Sequence, residues 1–204
     1  MRPLPLRVAA VVPAAGTSER MGRPKLILPL AGGTVLGRVL AALRGGGADP
    51  IVVVVPPLGA PGADLLIAEA DRQGATAVIP PAQPPDMRAS IQLGLDRLAA
   101  GPPPDGLLLT PGDSPGLSAE RVAQVIGRFR EEPSRIIIAA HGGRRGHPLV
   151  LPWDLTAAIR ALPPEVGVNA LLADHPDRIT LLEGDDPGVL SDLDTPEDYR
   201  RWAT

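Results

Sequence analysis

The chain has 204 residues, 44% of them hydrophobic, which is enough for a single domain around one sizeable core. Its net charge of -3 and aromatic content of 2% argue against nucleic-acid binding, which needs a basic field and aromatic rings for base stacking. Cysteine is absent, which excludes disulfides, thiolate metal sites and a cysteine nucleophile.

The start of the chain predicts no export signal, and its apolar runs predict no membrane span. Residues 1–7 lack the apolar centre of a signal peptide, and no stretch reaches the roughly 18 consecutive apolar residues of a membrane span. We therefore expect a cytoplasmic protein that makes no contact with membranes.

Aliphatic runs and helical periodicities alternate along the chain from Val8 onward. Strands are predicted at 8–12, 51–55, 75–79, 106–110, 136–140, 149–151 and 179–182. Helices are predicted at 34–43, 63–73, 86–99, from 118, near 168–173 and from 195, with Thr34 and Ser118 as N-caps. This alternation predicts an α/β fold in three layers around a mostly parallel sheet, in one domain spanning residues 1–204. Ligands of such sheets lie beyond the carboxyl ends of the strands, so the loops after Val12 and Thr110 are candidate sites.

The first of these loops combines small residues with two cations. Its small residues are Ala14, Ala15, Gly16, Thr17 and Ser18. They allow main-chain N–H groups to approach a phosphate closely, and Arg20 and Lys25 add positive charge. Lys25 is also the single lysine beside 19 arginines, which indicates a position that needs a compact ammonium, unless it is a lysine left on the surface by chance.

The same loop resembles the signature A-A-G-x-S-x-R-M-G-x-x-K of the MobA-like nucleotidyltransferases. The matching positions are Ala14–Gly16, Ser18, Arg20–Gly22 and Lys25. Further segments resemble motifs of this family: Met87 with Ser90, Gly112-Asp113 and Asp192–Tyr199. Gly143–Pro148 resembles a segment of its molybdenum cofactor cytidylyltransferase branch. Ser114 and Asp86 depart from that branch, which has Gln and Gly there. The resemblance spans about residues 8 to 202 and implies a three-layer Rossmann-like nucleotidyltransferase fold with a mostly parallel mixed sheet.

The resemblance implies a Mg²⁺-dependent transfer of CMP from CTP to the terminal phosphate of molybdopterin, with release of pyrophosphate. Ala15 favours CTP, because the GTP-using branch has a second Gly there that leaves room for a larger base. The alternatives are another nucleotide, a sugar or alditol phosphate as acceptor, or a module that binds or delivers molybdenum cofactor without turnover. A recipient molybdoenzyme is an expected partner.

Residue roles follow from the resemblance, each beside a plainer alternative. Arg20, Lys25 and Asp113 are the expected catalytic residues, and Ala14–Ser18, Arg20, Lys25 and Ser90 the expected nucleotide-binding residues. Mg²⁺ would be held by Asp113 and Asp194, with Asp192 as an alternative second ligand. Instead of binding a metal, Asp113 could cap a turn and Asp194 could cap the last helix. The acceptor would be bound by Arg144, Arg145 and His147. Alternatively, the two arginines could belong to a basic turn on the surface, and His147 could be a hydrogen-bonded structural histidine. Ser90 could simply be solvated, and Met87, Trp153 and Trp202 are predicted to pack in the interior.

Overall fold

The computed structural model describes residues 5–164 and 166–203; residues 1–4, which belong to the segment examined for an export signal, lie outside them. Its strands are β1 (Val8–Pro13), β2 (Pro29–Leu30), β3 (Gly33–Thr34), β4 (Ile51–Val54), β5 (Thr76–Val78), β6 (Gly106–Leu109), β7 (Ile136–His141), β8 (Arg144–Pro152) and β9 (Ile179–Glu183). Its helices are α1 (Val35–Gly45), α2 (Ala63–Arg72), α3 (Met87–Ala99), α4 (Ala119–Glu131), α5 (Thr156–Ala161), α6 (Asn169–Asp174) and α7 (Pro196–Ala203). None of the described helices is long and apolar enough to cross a membrane.

Seven strands form one mixed sheet in the order β5-β4-β1-β6-β8-β7-β9. All neighbouring pairs are parallel except the two that involve β8, which runs antiparallel to both β6 and β7. The predicted mostly parallel sheet is therefore confirmed. The strand order reverses beside β1, so the loops after β1 and β6 leave the sheet at a shared edge, where ligands of open α/β sheets bind.

The alternate residues of β1 enter two separate cores. Val8, Ala10 and Val12 pack with α1, α2 and α4, whereas Ala9 and Val11 pack with α3, α5 and α6. A strand buried on both faces needs side chains that are apolar at every position, and this is why the run is continuous rather than alternating. Helices thus cover both faces of the sheet, as the three-layer prediction requires.

The helix starts follow the predicted capping chemistry. The Thr34 hydroxyl accepts a hydrogen bond from the Gly37 N–H at 3.0 Å, and the Ser118 hydroxyl accepts from the Arg121 N–H at 3.1 Å. Each hydroxyl satisfies an N–H group that has no partner within its own helix. Both predicted N-caps are confirmed.

The structure departs from the sequence-based elements mainly at β8. This strand begins at Arg144, five residues before the predicted start, because its first half pairs with β7 through the turn at Gly142 and Gly143. The pairing is irregular between Ile138 and Ala140 of β7, where β8 contributes extra residues. A bulge of this kind hides the alternation of apolar and polar residues by which a strand is recognised. The short helix α5 and the β2–β3 hairpin were not predicted either.

Candidate functional site

The loop after β1 folds back on itself beside the carboxyl end of the sheet. Ala14 and Ala15 are buried against the sheet, whereas Gly16 and Thr17 are exposed. Ser18 adopts a left-handed conformation, and its hydroxyl accepts a hydrogen bond from the Lys25 N–H at 3.2 Å. Ser18 was expected to bind nucleotide. In the structure its hydroxyl stabilises the loop itself, because this hydrogen bond holds the start of the turn that carries Lys25.

Lys25 lies between two carboxylates. Its ammonium forms ion pairs with Asp113 and, at 2.9 Å, with Asp194 Oδ1, while Arg20 reaches the other oxygen of Asp194 at 2.9 Å. The Lys25 side chain is only 14% exposed. The lone lysine is therefore a member of a charged cluster and not a residual surface lysine. Three of the four residues expected to act on phosphate and metal meet at this one ammonium.

The electrostatics of the cluster follow from these contacts. Burial acts to lower the pKa of Lys25, but the Asp113 and Asp194 carboxylates outweigh it and raise that pKa. Burial likewise acts to raise the pKa of Asp194, and the neighbouring Lys25 and Arg20 outweigh it and lower that pKa. The Lys25 ammonium and the Asp194 carboxylate are therefore both held in their ionised forms at neutral pH.

Main-chain hydrogen bonds bring the two carboxylates together. The Gly112 N–H donates to the Pro13 carbonyl at 3.2 Å, which ties the loop after β6 to the loop after β1. The Leu193 N–H donates to the Asp113 carbonyl at 2.9 Å, which places Asp194 beside Asp113 although the two are distant in sequence. The site is thus assembled from the ends of β1 and β6 and from the segment that precedes α7.

The plainer alternatives for the two aspartates do not hold. The Asp113 carboxylate is directed at Lys25, so it is not simply a turn cap. The N-cap of α7 is Thr195, whose hydroxyl accepts from the Asp198 N–H at 3.2 Å, while the Asp198 carboxylate accepts from the Thr195 N–H at 2.9 Å. This reciprocal arrangement is a capping box, and it leaves the Asp194 side chain free for the cluster.

A cavity of about 750 Å³ opens over this cluster. The predicted residues that line it are Ala14, Ala15, Gly16, Thr17, Ser18, Arg20, Lys25, Ser90, Asp113 and Asp194. Ser90 is 3% exposed and lies in the first turns of α3, so it is not a solvated serine. Met87 was expected in the core, but it is 56% exposed at the cavity wall, because it is the first residue of α3 and this helix begins at the cavity.

A second cavity of about 480 Å³ adjoins the first. The wall between the two consists of residues 14–19 and 25–26 together with Gln83, whose side-chain amide donates a hydrogen bond to the Ala15 carbonyl. The far side of the second cavity is apolar, with Pro56, Pro61 and Leu66. Sequence reasoning missed Gln83, although its position after β5 puts it at the ligand-binding edge of the sheet.

His147 and Asp192 lie close to the cluster but do not line the cavity. Burial lowers the pKa of His147, opposed by the charges of Asp192 and Asp113, and its Nδ1 is buried with no hydrogen-bond partner among the described residues. Partial loss of hydration and the charge of Asp113 raise the pKa of Asp192, which accepts a hydrogen bond from the Ser114 hydroxyl at 3.2 Å. Asp194, and not Asp192, is the carboxylate that joins Asp113 at Lys25.

Arg144 and Arg145 stand apart from this site. Both are exposed at the start of β8, on the hairpin with β7, and neither lines either of the two cavities. The expectation that they bind an acceptor phosphate stays a prediction, since no described contact links them to the cluster around Lys25.

The arrangement is suited to a polyphosphate bound with a divalent cation. Lys25 supplies a compact ammonium, and Arg20 supplies a planar guanidinium with several N–H donors. The carboxylates of Asp113 and Asp194 supply hard oxygen ligands within reach of one cation. The described residues contain no cluster of three acidic or histidine side chains able to hold a metal by themselves. Two carboxylates completed by phosphate oxygens are a common way for proteins to bind Mg²⁺.

The fold and this site define an α/β protein built to handle phosphates at the end of a mostly parallel sheet. The sequence profile of the MobA-like NTP transferase domain matches residues 10–179, and the chain belongs to this family of nucleotidyltransferases.

Individual relatives cover almost the whole chain. It is 29% identical to the molybdenum cofactor guanylyltransferase of Rhodobacter capsulatus, over 96% of this chain and 95% of that protein. It is 26% identical to the molybdenum cofactor cytidylyltransferase of Escherichia coli K12, over 94% and 93% of the two chains. The solved structure of Rv0371c from Mycobacterium tuberculosis H37Rv in complex with manganese superposes with a TM-score of 0.76 at 27% identity, over 97% of this chain and 98% of that one.

Proposed function

We propose that this protein is a Mg²⁺-dependent cytidylyltransferase that transfers CMP from CTP to the terminal phosphate of molybdopterin and releases pyrophosphate. The observation that carries the proposal is the Lys25 ammonium held between Asp113 and Asp194 beneath a cavity walled by the small-residue loop 14–18. Two relatives over nearly the full chain are named for nucleotidyl transfer to molybdenum cofactor, which supports molybdopterin as the acceptor.

The chemistry asks for charge neutralisation more than for proton transfer. An oxygen of the acceptor phosphate attacks the α-phosphorus of CTP, and the bond from that phosphorus to the oxygen of the β-phosphate breaks. A phosphate monoester is already mostly dianionic at neutral pH, so the attacking oxygen needs no general base. Lys25 and Arg20 would exchange their contacts with Asp194 for contacts with the triphosphate and so offset the negative charge that the two substrates bring together.

Asp113 and Asp194 fit a Mg²⁺ ion, because their oxygens already converge on one cation, that of Lys25. When bound, the ion would neutralise phosphate oxygens and polarise the bonds around the α-phosphorus. The manganese complex of Rv0371c, a structural relative at 27% identity, supports a divalent cation in this fold.

Ala15 supports cytosine as the base. Its side chain is 4% exposed and belongs to the wall shared by the two cavities, so its methyl group takes up space that a glycine would leave. The relatives include both a guanylyltransferase and a cytidylyltransferase at similar identity, so the choice of base rests on such local features. We assign the acceptor to the region near Arg144, Arg145 and His147, and a recipient molybdoenzyme would collect the product.

The decisive experiment follows pyrophosphate release. The purified protein is given Mg²⁺, each of the four nucleoside triphosphates in turn, and either molybdopterin or a panel of sugar and alditol phosphates. We expect release with CTP and molybdopterin, and a catalytic efficiency with CTP at least about tenfold above that with GTP, equal to ~1.4 kcal/mol. Equal use of CTP and GTP would contradict the choice of cytosine as the base. Pyrophosphate release with a sugar phosphate but not with molybdopterin would contradict the choice of acceptor. No release with any acceptor would favour a carrier protein over an enzyme.

A further inference from the structure

Lys25 occupies the point at which the two carboxylates of the site converge. Its ammonium forms ion pairs with Asp113 and, at 2.9 Å, with Asp194 Oδ1. The side chains of Lys25, Asp113 and Asp194 are 14%, 17% and 32% exposed, so water screens these ion pairs only in part. A divalent cation held by Asp113 and Asp194 would use the same two carboxylates. The ammonium and the metal ion therefore compete for one set of protein ligands.

The charges of the cluster make this competition strong. A divalent cation between the carboxylates would meet the Lys25 ammonium at contact distance, and cations repel one another strongly where water screens them only in part. Arg20 differs, because it reaches only Asp194, through Oδ2 at 2.9 Å, and its side chain is 70% exposed. Lys25, and not Arg20, is therefore the cation that must leave before a metal ion can join both carboxylates.

The ammonium can leave without a change in the main chain. The Lys25 N–H donates to the Ser18 hydroxyl at 3.2 Å, which holds the main chain at this position. The flexible side chain lines the cavity of about 750 Å³, into which a triphosphate would bring anionic oxygens. Those oxygens offer the ammonium new partners, and they offer a metal ion the further ligands that two carboxylates do not supply.

From this geometry we infer that Lys25 blocks the metal site of the nucleotide-free protein and frees it when a triphosphate binds. Metal binding and nucleotide binding are then coupled, and by linkage each strengthens the other by the same free energy. The inference rests on the proposed use of a nucleoside triphosphate with Mg²⁺. It concerns the order of binding, and neither the base nor the acceptor.

This role makes the removal of Lys25 act in an unusual direction. When a residue that supports a metal site is removed, the affinity for the metal falls. When a residue that blocks the site is removed, that affinity rises. Lys25→Met and Lys25→Ala should therefore bind a divalent cation more tightly than the wild type, although both lose a charge on which turnover depends.

The test measures Mn²⁺ binding to the nucleotide-free protein, from the electron paramagnetic resonance signal of unbound Mn²⁺. It compares the wild type, Lys25→Met, Lys25→Ala and Arg20→Gln, and circular dichroism verifies that each is folded. Arg20→Gln is a matched control, because it also removes a positive charge 2.9 Å from Asp194 but leaves the ammonium between the carboxylates. We expect both Lys25 variants to lower the Mn²⁺ dissociation constant by about tenfold or more. Arg20→Gln should change it by less than about threefold, since an exposed ion pair is weak.

The unaltered protein provides a second test, because its sequence contains a single lysine. After labelling with ¹⁵N-lysine, the side-chain nitrogen of Lys25 gives its own NMR signal. We expect CTP with a metal chelator to shift this signal, and Mg²⁺ alone, at the concentration used for pyrophosphate release, to leave it in place. A shift with Mg²⁺ alone, or no shift with CTP, would overturn the inference.

The outcomes separate this inference from the proposed reaction. Equal gains in Mn²⁺ affinity for Arg20→Gln and for the Lys25 variants would show that total charge controls metal binding, and they would overturn the inference. An unchanged or weaker affinity in the Lys25 variants would also overturn it, even if the wild type releases pyrophosphate with CTP and molybdopterin. If only the Lys25 variants gain affinity while the wild type releases no pyrophosphate with any acceptor, the inference stands and the proposed transfer reaction falls.

Discussion

At the scale of single residues, Lys25 does two things in this structure. Its charge is compensated by Asp113 and Asp194, and it keeps those two like-charged groups close together. An arginine would present a wide planar fork in place of a compact ammonium, so it could not occupy the same point between two carboxylates.

We expect Lys25→Ala and Lys25→Arg both to lower turnover by several powers of ten. The first removes the charge beside the triphosphate, and the second misplaces it. Pyrophosphate release measures the effect, and a melting curve shows whether the fold has been kept. Near wild-type activity of Lys25→Arg would mean that any cation suffices at this position.

The two carboxylates provide a second prediction, about the metal. If Asp113 and Asp194 hold one Mg²⁺, then Asp113→Ala and Asp194→Ala should each nearly abolish turnover, and the double variant should be scarcely worse than the more damaging single variant. Mg²⁺ titrations of activity measure this. Because Thr195 caps α7, Asp194→Ala should not show the loss of about 1 kcal/mol in stability that the removal of a helix cap causes. Additive losses would show that the two residues act separately.

At the scale of secondary-structure elements, the start of α7 determines where Asp194 lies. The Asp198 carboxylate accepts hydrogen bonds from the Asp194 N–H, the Thr195 N–H and the Thr195 hydroxyl at 3.2, 2.9 and 2.8 Å. The helix is further fixed by the Tyr199 hydroxyl, which donates to the Pro29 carbonyl at 2.7 Å. The segment that carries Asp194 is thereby anchored on both of its sides.

The capping box predicts a particular response to acid. Hydrogen bonds from Thr195 lower the pKa of Asp198, so this group contributes stability above the ordinary aspartate pKa and loses it as the pH falls through its lower folded-state value. We expect Asp198→Asn to melt below the wild type at pH 7, and the gap to close as the pH falls below about 4. Melting temperatures across that range measure it. A gap that persists in acid would mean that amide geometry, and not charge, matters.

The elements also show how far the sequence alone could lead. The residues of the cluster around Lys25 were indicated by motif resemblance, but their ion pairs with one another were not, because Asp113 and Asp194 are distant from Lys25 in sequence. The strands of the parallel part and the caps at Thr34 and Ser118 were predictable, because continuous aliphatic runs and capping residues are local in sequence. The start of β8 was not, since its bulge removes the alternation on which a strand prediction depends. Gln83 was not predicted for a different reason. It joins the site through a hydrogen bond from its side-chain amide to the carbonyl of Ala15, which is distant in sequence, and no local sequence pattern indicates that contact.

At the scale of the whole molecule, the close approach of α3 to the sheet positions one wall of the cavity. Gly94 makes this possible, because a Cβ there would lie 2.5 Å from Cγ1 of Val11 on β1. In contrast, a Cβ at Gly127 of α4 would have no atom within 4 Å. The two glycines are both helical, but only the first is required by packing.

This contrast predicts opposite effects for the same substitution. Gly94→Ala should lower the free energy of unfolding by about 1–3 kcal/mol through overpacking against Val11. Gly127→Ala should raise it by up to about 1 kcal/mol, because alanine favours the helix. Urea unfolding of the two variants beside the wild type provides the values. Destabilisation of equal size in both would show that α3 and the sheet can adjust to an added methyl group.

The solitary lysine also has a practical consequence for chemical labelling. An acylating reagent meets a single side-chain amine in the sequence, and that amine lies within the charged cluster, where its raised pKa keeps it protonated and slow to react. The acetylation of one peptide, followed by mass spectrometry, would therefore report on occupancy of the site in the unaltered protein. For the same reason, immobilisation through lysine would consume the very group that the site depends on, so a surface-coupled assay should attach the chain by other means.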